Sequence, residues 1–298
     1  MNKVKIHFSI KDLENLSGIK AHTLRIWEKR HAIFNPSRTE TNIRYYSLEE
    51  LQKLLNVSFL INYGYKISRV AKLSDEDLNK IVIQIYSEKT NSGFSISVLK
   101  IAMLNFDAVL FNQTYTELSK TKTFDRIFIE VYLPFLNEIG LLWQTNSIKP
   151  IHEHFVSNLI YQKLVENISL KQSQTILSNM DKTFVLFLPE NEIHEISLMF
   201  ANYLLICKGF KTIYLGSSVP FSDLLEINKL YNNIYYISNF TVMPTIDNLV
   251  DYLEKFEKNL LQNSSNELFV SGNQTKYLLQ DFKSVTIFNS WSKFIDVL

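Results

Sequence analysis

Near residue 181 the spacing of apolar residues changes period, and that change constrains the fold more than any other feature of the chain. From Asp77 to Leu170 apolar residues recur three and four apart, as in Leu78, Ile81 and Ile85, Phe106 and Leu110, or Ile127, Val131 and Phe135. One face of a helix has that spacing. Breaks near Asn91-Ser92-Gly93, Thr121-Lys122-Thr123 and Thr145–Pro150 divide the stretch into four helices of ten or more residues, a small bundle over 76–178. Pro134 falls inside the third helix and should kink it without ending it. Beyond residue 181 short apolar runs alternate with helical stretches. Candidate strands are Thr183–Leu188, Thr212–Leu215, Ile234–Ser238, Leu268–Ser271 and Val285–Ile287, with helices around 193–207, 221–231, 245–261 and 274–280. This alternation predicts a Rossmann-like, doubly wound parallel sheet over 181–298, with ligands beyond the carboxyl ends of its strands.

Residues 1–75 read as a third unit. Ser9 and Asp12 are spaced as in a capping box, before a short helix Lys11–Leu16. Ser17-Gly18 makes a turn, and a second helix from Ile19 carries Leu24 and Trp27. Two short helices around a glycine turn fit a helix-turn-helix. The second would present Lys20, His22, Thr23 and Arg25 to a major groove. After Pro36, the run SRTETNIRYYS fits a β-wing whose Arg38 and Arg44 meet phosphates. Ser47 with Glu50 caps a helix through Leu60, and Ser74 with Asp77 begins another. Residues 1–46 hold nine Lys/Arg against four acids, which suits a polyanionic partner. On spacing alone, a small helical domain with solvated arginines remains open.

Composition narrows the class. The 298 residues, 46% hydrophobic and 20% charged, suit a globular chain of two or three units. No window reaches the roughly 18 uncharged apolar residues of a membrane span. The opening residues have no apolar core of signal-peptide length, so secretion is not expected. Cys207 is the only cysteine. It allows no intramolecular disulfide or thiolate cluster and suits a reducing, cytoplasmic setting. No catalytic nucleophile, phosphate loop or paired-carboxylate site stands out, so no enzymatic reaction is expected.

Motifs now add a resemblance. Thr23-Leu24-Arg25-Ile26-Trp27-Glu28, Pro36-Ser37-Arg38 and Arg44-Tyr45-Tyr46 follow the T-L-R-x-[YW]-E, P-x-R and R-x-Y pattern of the mercury-resistance-regulator (MerR) family. The match is dense over about 45 residues. The resemblance implies a winged helix-turn-helix that binds palindromic double-stranded DNA as a dimer, often by deforming it. It assigns DNA contact to Lys20, His22, Thr23, Arg25, Arg38, Arg44 and Tyr45. Leu24, Trp27 and Leu48 are expected in the core, and Glu28 is expected to pair with an arginine of the domain.

Trp143 followed by Glu153-His154 resembles the helical cap of the light-sensing, CarH-like repressors of that family. There, such residues cover the upper face of a corrin. Asn146 replaces the usual glycine three after the tryptophan. Glu192-Ile193-His194-Glu195-Ile196-Ser197-Leu198 is similar to the E-x-H-x-x-G-L form of the cobalamin signature. The resemblance implies that His194 ligates cobalt from below and that Glu192 holds its other ring nitrogen. Ser238-Asn239-Phe240 stands at the S-x-[LT] step, and Ser271-Gly272 at the paired glycines that line the nucleotide-tail channel. Ser197, Phe240 and Ser271 depart from the pattern, Phe240 most seriously because a bulky side chain narrows that channel. The implied function is a regulator gated by cobalamin, in its adenosyl and light-sensitive form, through dimer or tetramer assembly. Two alternatives stay open: a ligand-free regulator of the same fold gated by a protein partner, and a corrinoid methyl carrier.

Overall fold

A computed structural model describes residues 7–88, 92–145, 147–262, 264–278, 280–288 and 294. Lys3 and Lys5 of the basic segment, Asn91 of the first expected break, and Asn146 lie outside the described residues. The chain forms two compact units, Met1–Leu159 and Ile160–Leu298.

The first unit begins with α1 (Ile10–Ser17) and α2 (Ala21–His31). Ser9 Oγ accepts from the Asp12 N–H at 3.2 Å, and Asp12 Oδ2 accepts from the Ser9 N–H at 2.7 Å, so the expected capping box is complete. Gly18 closes α1 at φ +75°, the left-handed geometry that glycine adopts without penalty. Lys29, Arg30 and His31 fill the last turn of α2, where cations complement the helix dipole. Two short antiparallel strands, β1 (Ser37–Arg38) and β2 (Arg44–Tyr45), form the wing, with Ser37 opposite Tyr45. A second reciprocal box, Ser47 with Glu50, opens α3 (Leu48–Asn62). After α4 (Ile67–Val70) comes α5 (Asp75–Glu88), capped by the Ser74 hydroxyl on the Asp77 N–H. The head buries Phe8, Leu13, Leu16, Leu24, Trp27, Tyr46, Leu51 and Leu54. Leu24 and Trp27 are core as expected. Leu48 is only half-buried, because it sits at the first position of α3, and the core place nearby belongs to Tyr46.

The bundle consists of α6 (Ser92–Asn105), α7 (Ala108–Ser119), α8 (Phe124–Ile127), α9 (Leu133–Gln144) and the start of α10 (Pro150–Gln174). The single helix expected to carry both Phe106 and Leu110 is divided, because Phe106 takes a φ of +55° and the Asp107 side chain caps α7. A π-type turn, Phe128–Tyr132, joins α8 to α9 without a break, and in it the Leu133 N–H reaches the Phe128 carbonyl. This wider turn lies directly before Pro134, whose ring would crowd a regular α-turn and which has no N–H to give. Proline is therefore carried inside a long helix, as its position predicts. Phe111, Phe128, Val131, Tyr132 and Phe135 fill the middle of the bundle, with the Phe111 and Tyr132 rings stacked at 5.8 Å.

The second unit carries β3 (Asn179–Pro189), α11 (Ile196–Cys207), β4 (Phe210–Val219), α12 (Phe221–Leu230), β5 (Ile234–Asn239), α13 (Ile246–Phe256), β6 (Glu267–Ser271) and β7 (Val285–Ile287). All pairings are parallel, in the order β4-β3-β5-β6-β7. Each expected strand lies within an observed one. The expected helix at 274–280 is instead a 3₁₀ turn, Asn273–Tyr277. Its Gln274 N–H is committed to the Phe240 carbonyl at 3.0 Å rather than to a helical ladder. Strand order reverses between β3 and β5, so chain leaves their carboxyl ends in opposite directions and opens a crevice there.

Candidate functional sites

In the head, His22 and Arg25 are exposed on α2, and Thr23 is half-buried. Lys20 stands just before the helix, 81% exposed, with its ammonium 3.5 Å from Glu14. Arg38 is exposed on the wing and donates to Asn42 Oδ1 at 2.6 Å. Arg44 differs from these. Its Nε donates to Glu28 Oε1 at 2.9 Å, while the Tyr46 hydroxyl donates to Glu28 Oε2 at 3.1 Å. Glu28 thus has the arginine partner expected of it. Burial first, and then the Glu28 charge, push the Tyr46 phenol well above its ordinary pKa. Tyr45 is half-buried and meets His7 edge-on at 4.7 Å.

These placements separate two arginines that look alike in sequence. Arg44→Met leaves the mostly buried Glu28 carboxylate with one fewer donor, and should cost about 1–3 kcal/mol of stability in urea unfolding. Arg38→Met should change stability by less than about 0.5 kcal/mol. Equal losses would show that Glu28 is not held through Arg44.

In the cap segment, Trp143 is 55% exposed near the end of α9. Glu153 and His154 lie in the first turns of α10, with Glu153 Oε2 3.2 Å from His154 Nδ1 and Glu153 Oε1 accepting from Ser157 at 2.9 Å. This places an exposed indole and a half-buried carboxylate with an exposed imidazole on either side of one turn.

In the second unit the loop after β3 carries Glu192 and His194. Its backbone is fixed to the end of β4, because the Ser218 N–H donates to the Glu192 carbonyl and the Asn191 N–H to Ser218 Oγ, both at 3.1 Å. The Glu192 side chain is 1% exposed. Its Oε1 lies 2.5 Å from His194 Nδ1 and accepts from the Ile193 and His194 N–H groups at 2.9 and 3.0 Å. Its Oε2 accepts from three successive N–H groups beyond β5: Thr241 at 3.1, Val242 at 2.7 and Met243 at 2.8 Å. Burial opposes ionisation of Glu192, but the His194 ring and the Met243, Val242 and His194 N–H groups outweigh it and bring the carboxyl down to about 2. Glu192 is therefore an anion at neutral pH. His194 is half-exposed, with Nδ1 fixed, so a metal on this ring would take Nε2.

The remaining predicted residues serve the fold directly. Ser238 is fully buried on β5 and donates to the Phe187 carbonyl of β3 at 2.8 Å. Ser271 donates to Asn239 Oδ1 at 2.8 Å. Gly272 has φ +110°, and a Cβ there would stand 2.4 Å from the Phe240 carbonyl oxygen. The Phe240 ring is turned into the apolar core beside Leu249 and Leu253, edge-on to Tyr252 at 5.8 Å. Sequence reasoning placed Phe240 as an obstruction in a channel; its side chain is a core residue because β5 ends there and the next segment must be anchored. The Thr241–Met243 amides were missed altogether. Backbone donors leave no mark in residue identity, and only Pro244 hints at a turn.

The fold and these sites define a class: a winged helix-turn-helix head joined to a helical cap and a cobalamin-binding-like sheet. Residues 8–77 match the MerR HTH family regulatory protein model, and residues 96–165 match the B12 binding domain model. The chain is 27% identical over 219 residues to the HTH-type transcriptional repressor CarH of Myxococcus xanthus, covering 70% of each. It is 28% identical over 220 residues to the repressor CarA of the same organism, covering 72% of this chain and 70% of the relative. The monomethylamine corrinoid protein of Methanosarcina barkeri shares the fold, with a TM-score of 0.53 at 14% identity over 67% of this chain and 94% of its own. The chain thus carries a MerR-type head and a B12-binding-type segment. Among the described residues no helix is long and apolar enough to cross a membrane.

Proposed function

We infer that the protein is a DNA-binding transcription regulator of the cytoplasm whose sensory half holds a corrinoid. The head offers Lys20, His22, Arg25 and Arg38 as exposed groups for phosphates and base edges. Thr23, Arg44 and Tyr45 are the further proposed DNA contacts, Arg44 while it also holds Glu28. The observation that carries the corrinoid reading is the Glu192–His194 pair: an anionic, almost fully buried carboxylate fixes Nδ1 of a half-exposed imidazole, which makes Nε2 the ring atom for a metal. That donor set suits cobalt. Cobalamin, when bound, would supply a cobalt that His194 could hold and, in the adenosyl form, a light-sensitive carbon–cobalt bond. Trp143, Glu153 and His154 of the first unit are the further residues proposed for corrinoid contact. Ser238, Ser271 and Gly272 would border the nucleotide tail. A change between dimer and tetramer on corrinoid binding would alter the avidity of paired heads for a palindrome.

The tail end favours one second reading. The Ser238 hydroxyl and Phe240 ring are both engaged inside the fold, which supports a regulator whose pocket has closed and which answers to a protein partner. Reconstitution with adenosylcobalamin in the dark separates the two. Corrinoid absorbance should coelute with the protein on gel filtration and be lost in His194→Ala; no coeluting absorbance removes the corrinoid reading. DNA binding is tested separately by mobility shift against salt. The logarithm of affinity should fall by roughly 0.9 per neutralised phosphate for each tenfold rise in salt, and Arg38→Met should make that slope shallower by about 1. An affinity indifferent to salt would remove the DNA reading.

A further inference from the structure

Within the first unit, the bundle grips the head at the carboxyl end of α1. The last carbonyls of a helix have no partner inside it. Here the Leu16 carbonyl accepts from Lys100 Nζ at 3.3 Å, and Lys100 belongs to α6 of the bundle. The Lys100 side chain is only 11% exposed, and its ammonium is ion-paired with Glu138 of α9. One residue before Leu16, Asn15 Nδ2 donates to Ser147 Oγ at 3.1 Å. Ser147 is fully buried in the turn between Trp143 and Glu153. Its N–H returns to the Leu142 carbonyl at 2.9 Å, and its hydroxyl lies 3.1 Å from that of Thr145. Two polar contacts thus join that turn and α9 to the residues immediately before the Gly18 turn of the helix-turn-helix.

The head has its own apolar core in Leu13, Leu16, Leu24 and Tyr46, which needs neither contact. A nearly buried ammonium is costly unless both of its partners are in place. Loss of either contact would leave that charge without a partner, so the pairing is sensitive to how the head docks on the bundle.

We propose that Lys100 is a positioning residue: with Glu138, and with the Asn15–Ser147 bond beside it, it ties the helix-turn-helix to the Trp143–Glu153 turn, so that a ligand on that turn alters DNA affinity. The ligand part rests on the corrinoid reading above; the docking part does not. Coupling between two such sites is reciprocal and amounts to roughly 5- to 150-fold in affinity.

The test uses the full chain with Lys100→Met and, at a more exposed position, Glu138→Gln. Lys229→Met, which breaks an exposed pair with Glu226, serves as the charge control. Amide exchange over residues 10–17 is measured without ligand, and affinity for a duplex from the protein's own promoter region is measured with and without adenosylcobalamin. Both variants should speed exchange in α1 by about tenfold. They should reduce the cobalamin-dependent change in DNA affinity several-fold, leaving the share that assembly contributes, while cobalamin uptake stays normal, and the control should match the wild type. Unchanged exchange overturns the proposal, as does faster exchange with an undiminished cobalamin effect. If the wild type takes up no cobalamin, the corrinoid reading fails by itself and the ligand-free measurements decide. Faster exchange with shifted DNA affinity then sustains the docking, and no change in either overturns it.

Discussion

Glu192→Gln is expected to lower the stability of the sheet-bearing unit by about 3 kcal/mol at neutral pH. The wild-type carboxylate accepts from three amides beyond β5 and from the His194 ring while almost fully buried. Glutamine has one oxygen, so its NH₂ must face either those amides or the histidine, and buried donors on one side lose their acceptor. The acid limb gives an independent measure. Folding lowers the Glu192 carboxyl from 4.5 to about 2, a difference worth about 3 kcal/mol at about 1.4 kcal/mol per pH unit. Because the folded value is the lower one, this stability is fully present above about pH 4.5 and is lost as pH falls toward 2. Urea unfolding across that range should therefore show a wild-type decline that Glu192→Gln lacks in this component. A variant as stable as the wild type at neutral pH, or with the same acid decline, would remove the role given to Glu192.

Gly272→Ala should cost about 3–5 kcal/mol, through backbone geometry alone. At φ +110° an L side chain is strained, and the added methyl would overlap the Phe240 carbonyl at 2.4 Å. That carbonyl has no room to withdraw, because the Phe240 N–H is bonded to the Ser271 carbonyl at 2.7 Å and its oxygen to the Gln274 N–H. Gly140→Ala is the matching control: it lies inside α9, with nothing within 4 Å of the added methyl. It should stabilise slightly, by about 0.5–1 kcal/mol. Comparable urea midpoints for the two variants would show that the close approach of Phe240 and Gly272 is not maintained in solution.

Much of this architecture was open to reading from residue order, because the physics that sets it is local. Capping boxes at Ser9 and Ser47, the glycine turn at Gly18, helical spacing through the bundle and the alternation beyond residue 181 involve residues only a few positions apart. So do the motifs Thr23–Glu28 and Glu192–His194. Tertiary structure alone decided how those residues are used. It gave Arg44 to Glu28, turned Phe240 into the core, set Gly272 against the Phe240 backbone, and brought the Thr241–Met243 amides to a carboxylate about fifty positions earlier in the chain. Such assignments depend on which strands lie side by side and on where main-chain N–H groups end up, and every residue type carries the same main chain.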